Sequence, residues 1–117
     1  MDKKRLELLR KVSEVKGISG AERDVARLIK AELKDVADSF EYDNLGSVIA
    51  NLNGEEDAPR VLIAAHMDEV GFLVKQIEKG GFLRLHNVGG WWGHVIPAHE
   101  WVVTTRDGKE YIGVTGA

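Results

Sequence analysis

Cysteine is absent from the 117 residues, which removes disulfide staples and thiolate metal sites and leaves histidine, aspartate and glutamate as the strong metal ligands on offer. An excess of one charge is lacking too. Sixteen lysines and arginines stand against 19 acids, for a net charge of -3, so no basic stripe is available to neutralise a phosphate backbone and nucleic acid is not an expected partner. There is no long uncharged apolar run. The opening MDKKRLELLRK carries charges through its apolar periodicity, so it reads neither as a signal peptide nor as a membrane span, and the expected location is cytoplasmic. Internal repeats and low-complexity segments are likewise missing. What remains, 44% hydrophobic and 30% charged residues, is the balance of a folded globular chain with room for one modest core.

Two stretches carry helical periodicity. Leu6, Leu9, Val12 and Val15, with Leu8 beside them, recur every three or four positions, and Gly17 supplies a stop. The second stretch begins at Ser19 with Glu22 three residues later, the spacing of a capping box, and then sets Val25, Leu28, Ile29, Leu33 and Val36 on one stripe. From Ser39 the period changes to two, and strands are expected. SFEY and SVIANL flank the turn residues DNLG, and NGEEDAP forms a solvated loop. RVLIAAH is continuously apolar from Val61 to Ala65, as expected of a central strand covered on both faces. FLVKQI and FLRLHNV follow around EKGG, and a hairpin is expected about Asp107-Gly108. The run VGGWWGHVIPAHE changes the character of the chain and suggests a boundary between subdomains.

The candidate site lies in LIAAHMDEVGFLV. His66 stands at the carboxyl end of the expected buried strand, where open α/β sheets present their ligands. In extended backbone the side chains of His66 and Asp68 share a side, so the carboxylate can take the proton of one ring nitrogen and leave the other for a metal. Glu69 points the opposite way. The spacing fits equally well a histidine at the edge of the core, held by Asp68 for stability alone. Of the remaining histidines, His94 and His99 are five apart around Pro97, a spacing that suits neither a helical face nor one side of a strand, and with His86 they read as exposed residues of loop and strand. Trp91 and Trp92, beside paired glycines, suit a domain or subunit contact better than a stacking platform for sugar or base.

The stretch AAHMDEVGFLVKQIEKGGFLRLHNVGGW, with GISGAERDVARLI before it, DNLGSVIANL ahead of the expected metal strand and GKEYIGVTGA at the end, resembles the tetrahedral (TET-type) metallo-aminopeptidases of metallopeptidase family 42, some long labelled glucanases. The resemblance covers nearly the whole chain. It implies an α/β fold: two amino-terminal helices, then a mixed sheet of a phosphorylase/hydrolase-like peptidase domain, interrupted by an inserted β-rich domain. Residues 1–90 would be the amino-terminal part of the catalytic domain and residues 91–117 the start of the insert. His66 matches the family's first metal ligand and Asp68 the acid that orients it. The resemblance further implies two divalent ions, zinc or cobalt, peptide substrates and a homo-oligomer, a dodecamer built from dimers. The family's other ligands and its glutamate base would lie beyond Ala117.

The expected function is therefore the amino-terminal part of a metal-dependent aminopeptidase that removes amino-terminal residues through a two-metal site. The competing expectation is a catalytically incomplete piece acting only in assembly or partner binding, because one histidine does not hold a catalytic zinc that takes three protein ligands and a water. A glycoside hydrolase, as the older label suggests, needs two carboxylic acids flanking a sugar cleft, and Asp68 beside His66 points to metal instead. Cutting a doubly covered sheet after its first strands exposes apolar faces and unpaired edges, so self-association of the isolated chain is expected.

Overall fold

The structure is a computed structural model that describes residues 2–116. Two compact units divide between Gly71 and Phe72.

The first unit opens with helix α1, Lys3–Glu14, capped by Asp2, whose carboxylate accepts a hydrogen bond from the Lys4 amide at 3.0 Å. Helix α2 runs Arg23–Leu33. The expected capping box at Ser19 does not form. Gly20 has φ +87° and the Ala21 amide bonds to the Ile18 carbonyl at 2.8 Å, so Ser19 and Gly20 lie in a turn and the helix begins four residues later. Glu22 still reaches backward, but to the Gly20 amide at 2.8 Å. Val25 of α2, 6% exposed, is the buried hydrophobic centre of the described residues.

Strands β1, Ser39–Tyr42, and β2, Val48–Asn51, pair antiparallel with Phe40 opposite Ala50 and Tyr42 opposite Val48. Because residues directly opposite share a face, Phe40, Tyr42, Val48 and Ala50 form one side and Ser39, Glu41, Ile49 and Asn51 the other. Lys30 of α2 holds its ammonium 5.7 Å from the Phe40 ring centroid and 5.5 Å from that of Tyr42, which assigns the first side to the helix. Such contacts are worth roughly 0.5–1 kcal/mol at an exposed site. On the other side Asn51 Nδ2 donates to Glu41 at 2.7 Å. The connecting turn is organised by Asp43, whose carboxylate accepts from Ser47 Oγ at 2.6 Å and from the Leu45 and Ser47 amides at 2.9 and 2.8 Å. The Ser47 hydroxyl above all, and then these amides, hold the Asp43 carboxyl below the usual carboxylate range.

The run from Val61 to Ala65 differs from the expectation. It forms no strand, and Val61, Leu62 and Ile63 are 81%, 87% and 91% exposed. A strand buried on both faces needs neighbours to hydrogen-bond its backbone and helices to cover it, and no described segment pairs with this one.

In the second unit β3, Gly71–Ile77, and β4, Leu83–Val88, pair across a single 3-10 turn, Lys79–Gly81, closed by the Glu78 amide on the Phe82 carbonyl at 2.8 Å. So short a connection requires an antiparallel pair. The expected second hairpin is present as β5, Glu100–Thr104, and β6, Glu110–Val114, with Thr104 opposite Glu110 and Gly108 at φ +80° in the turn. Phe72 stacks on Trp91 with centroids 4.8 Å apart, and both meet Trp101 edge-on at 4.9 and 5.3 Å. Trp91 thus packs in an aromatic cluster while Trp92 is 79% exposed. Thr115 fastens the segment before β5: its hydroxyl donates to the Ile96 carbonyl and accepts from the His99 amide at 3.2 Å and from Trp101 Nε1 at 3.3 Å.

The α/β architecture expected from the sequence is present, with two helices and then strands, but among the described residues the strands pair as three two-stranded sheets. No helix among the described residues is long and apolar enough to cross a membrane.

Two outcomes follow. Sedimentation velocity should show concentration-dependent association of the isolated chain, reduced when Leu62→Lys and Ile63→Lys are combined; a monomer at all concentrations would contradict it. A methyl group placed on Gly17 would collide with Val25 Cγ2, so Gly17→Ala should lower unfolding stability by about 1–3 kcal/mol, read as a lower urea midpoint.

Candidate functional site

The site is assembled where the segment after the apolar run meets the turn between the helices. Glu69 donates its amide to the Gly17 carbonyl at 2.8 Å and accepts the Gly17 amide on its carboxylate at 3.2 Å. Ile18 and Glu69 accordingly form an isolated parallel bridge. Both glycines at this junction are buried, and a Cβ on Gly71 would run into Ile18 as one on Gly17 would into Val25. Close backbone approach therefore requires glycine at both. The junction borders a cleft of about 230 Å³ lined in part by Val15, Gly17, Val25, His66, Met67 and Asp68.

His66 and Asp68 meet, as their spacing predicts. His66 Nδ1 lies 3.1 Å from Asp68 Oδ1 and 3.0 Å from the Asp68 carbonyl oxygen. A carbonyl oxygen can only accept and an ionised carboxylate can only accept, so in the neutral ring the proton sits on Nδ1. Nε2 is then the nitrogen with the lone pair. The His66 side chain is 85% exposed and that of Asp68 41%, which leaves Nε2 accessible to an incoming ligand. Glu69 lines the same cleft and has its carboxylate on the Gly17 amide.

The other histidines belong to the second unit. His86 is on β4, His94 is in the 3-10 turn Gly93–Val95, and His99 has Nδ1 3.2 Å from the Pro97 carbonyl with its ring 6.2 Å from that of Trp101. Among the described residues no group of three or more His, Asp and Glu side chains is arranged to hold a metal ion. His66 offers one nitrogen, and the donors here fit a single ligand of a metal centre but not a catalytic zinc site, which takes three. The role of Glu69 in positioning the pair has no local sequence signal, since its partner lies 52 residues away.

Residues 46–117 match the sequence profile of the M42 glutamyl aminopeptidase family. The match extends over more than half of the sequence, and the chain belongs to this family. It is 41% identical over 111 residues to the lysyl aminopeptidase of Pyrococcus furiosus, covering 94% of this chain and 31% of that protein. Its fold is similar to the crystal structure of a TET aminopeptidase from the marine sediment archaeon Thaumarchaeota archaeon SCGC AB-539-E09, with a TM-score of 0.89, 40% identity, and coverage of 97% of this chain and 31% of that one. It is also similar to the Pyrococcus horikoshii TET1 peptidase, which can assemble into a tetrahedron or a large octahedral shell, with a TM-score of 0.83, 37% identity, and coverage of 96% and 33%. The chain thus spans about a third of the length of the relatives it matches.

The tautomer is directly testable. Long-range proton–nitrogen correlation spectra at a pH where His66 is neutral should show its proton on Nδ1; a proton on Nε2 would contradict the pairing with Asp68.

Proposed function

We propose that this chain is the amino-terminal part of a metal-dependent aminopeptidase that removes amino-terminal residues from peptides. The observation that carries the proposal is the fixed His66–Asp68 pair, with Nε2 exposed, in a member of the M42 family. In this reading His66 contributes one metal ligand through Nε2, and Asp68 holds the ring in the required tautomer and makes the nitrogen a stronger donor. Two divalent ions, zinc or cobalt, would when bound polarise the scissile carbonyl and activate water. Gly17 and Glu69 fix the backbone from which both side chains project. Residues 1–90 would belong to the catalytic domain and residues 91–117 would open the β-rich insert; this division concerns the whole protein and differs from the compact units that divide after Gly71. A cytoplasmic homo-oligomer, a dodecamer as the family implies, is the assembly proposed, and the shell-forming P. horikoshii relative supports it.

A second reading has its own support. With no three-residue ligand group among the described residues and with Val61, Leu62 and Ile63 exposed, the 117-residue chain by itself would act in assembly or partner binding without hydrolysis. The two readings part on metal: the first needs divalent binding that His66→Ala abolishes, and the second is indifferent to that change. In a titration with cobalt, the His66 ring resonances should broaden before those of His86, His94 and His99, and His66→Ala should remove the effect; equal broadening of all four would overturn the ligand role. Release of leucine from a leucyl peptide should be absent for the mass-verified chain with zinc or cobalt. Metal-dependent release that His66→Ala abolishes would show instead that the chain completes a site on its own or by assembly.

A further inference from the structure

Outside the His66 cleft, the loop that leaves β2 brings together an exposed side-chain amide and the one type of following residue that leaves it open to attack. The chain has four asparagines, Asn44, Asn51, Asn53 and Asn87, and Asn53 alone precedes a glycine. Asn53 and Gly54 are exposed and lie in neither helix nor strand. A Cβ on Gly54 would meet nothing within 4 Å, so no neighbour packs against that face of the backbone. The Asn53 amide is tied to Asp38 Oδ2 at 2.6 Å, but among the described residues neither the Asn53 side chain nor the Gly54 N–H has a hydrogen-bond partner. The group that would be attacked and the group that would attack are both unrestrained, on adjacent residues, with no side chain at Gly54 to obstruct their approach.

We propose that Asn53-Gly54 is a site of spontaneous covalent modification, at which Asn53 is converted to aspartate and isoaspartate in the folded protein. Base removes the Gly54 amide proton, and the nitrogen attacks Asn53 Cγ. The new N–Cγ bond closes a five-membered succinimide while the Cγ–Nδ2 bond breaks and the nitrogen leaves with a proton as ammonia. Water then opens the ring. Cleavage of the N–Cγ bond gives aspartate, and cleavage at the former Asn53 backbone carbonyl gives isoaspartate, with no oxidant or reductant required. Either product adds a negative charge beside Asp38 and next to Glu55, Glu56 and Asp57.

The other positions where the same ring could close are restrained. Asn51 is in β2 with Nδ2 donating to Glu41 at 2.7 Å and Ser39 at 3.3 Å. The Leu45 amide that would attack Asn44 is engaged by Asp43 at 2.9 Å, and Asn87 lies within β4 before the branched Val88. Asp107-Gly108 shares the following glycine, but the Gly108 amide donates to the Thr105 carbonyl at 2.9 Å. Its carboxylate is engaged by Thr105 Oγ at 2.5 Å and Lys109 Nζ at 2.9 Å, contacts that keep it ionised and so a poor target for a nitrogen nucleophile.

The test is incubation of the full 117-residue chain in mildly alkaline buffer, followed by proteolysis and mass spectrometry of each asparagine-containing peptide. Asn53 should gain the mass of NH2 replaced by OH, as two chromatographically separate products, at least about tenfold faster than Asn44, Asn51 or Asn87. Gly54→Val should remove that advantage while leaving the circular dichroism unchanged. The rate at Asn53 should be comparable in the folded and the urea-unfolded chain, whereas Asn51 should speed up on unfolding. Conversion of Asn53 no faster than its counterparts, an advantage that survives Gly54→Val, or strong slowing of Asn53 on folding would each overturn the proposal.

Discussion

The two hydrogen bonds between Gly17 and Glu69 hold the functional region in place. One joins backbone to backbone and the other ends on the Glu69 carboxylate, so residue 69 is fixed at both its main chain and its side chain. The turn between α1 and α2 is thereby held against the segment that carries His66 and Asp68. Val25 and Ile18 fill the space under the two glycines, and neither position tolerates a methyl group without displacement. A bond to a charged acceptor contributes more than one between neutral groups, roughly 1.5–3 kcal/mol, although partial exposure reduces its value here. The contact closes a loop of 52 residues and has to outweigh the chain entropy lost in doing so. Buried apolar area cannot supply much of that, since among the described residues Val25 is the one buried hydrophobic side chain, and it is still 6% exposed.

That balance explains what was legible in the sequence. Helical periodicity located both helices, and turn residues located β1, β2, β3, β4 and the last hairpin, because each of these is satisfied by neighbours in the chain. The start of α2 was displaced because a capping box depends on the φ of the residue between its members as well as on their types, and Gly20 took the left-handed value. The apolar run from Val61 to Ala65 predicts a buried strand from composition alone. Burial of such a run is a property of what packs on it, and that information is not local.

The candidate site divides along the same line. The His66–Asp68 pair was legible, since residues two apart in an extended chain share a side and imidazole and carboxylate are natural partners. Glu69 lines the same cleft as His66 and Asp68, and its partner Gly17 has no signal in the sequence, because nothing there links positions so far apart. Thr115 was overlooked for a related reason: a threonine near the end of a strand is ordinary, and its three-way contact with Ile96, His99 and Trp101 depends on how the preceding loop folds back.

Each pair of strands closes on itself: β1 with β2 around Asp43, β3 with β4 around Gly80, β5 with β6 around Gly108. Among the described residues no ladder runs from one pair into the next. Amide hydrogen exchange in such a chain divides into sets, each hairpin opening with a free energy of its own rather than with that of global unfolding. The hairpin backed by α2 and the one fastened by Thr115 should be the slower sets. The amides from Val61 to Ala65, outside every ladder of the described residues, are expected to exchange at the rate of an open chain.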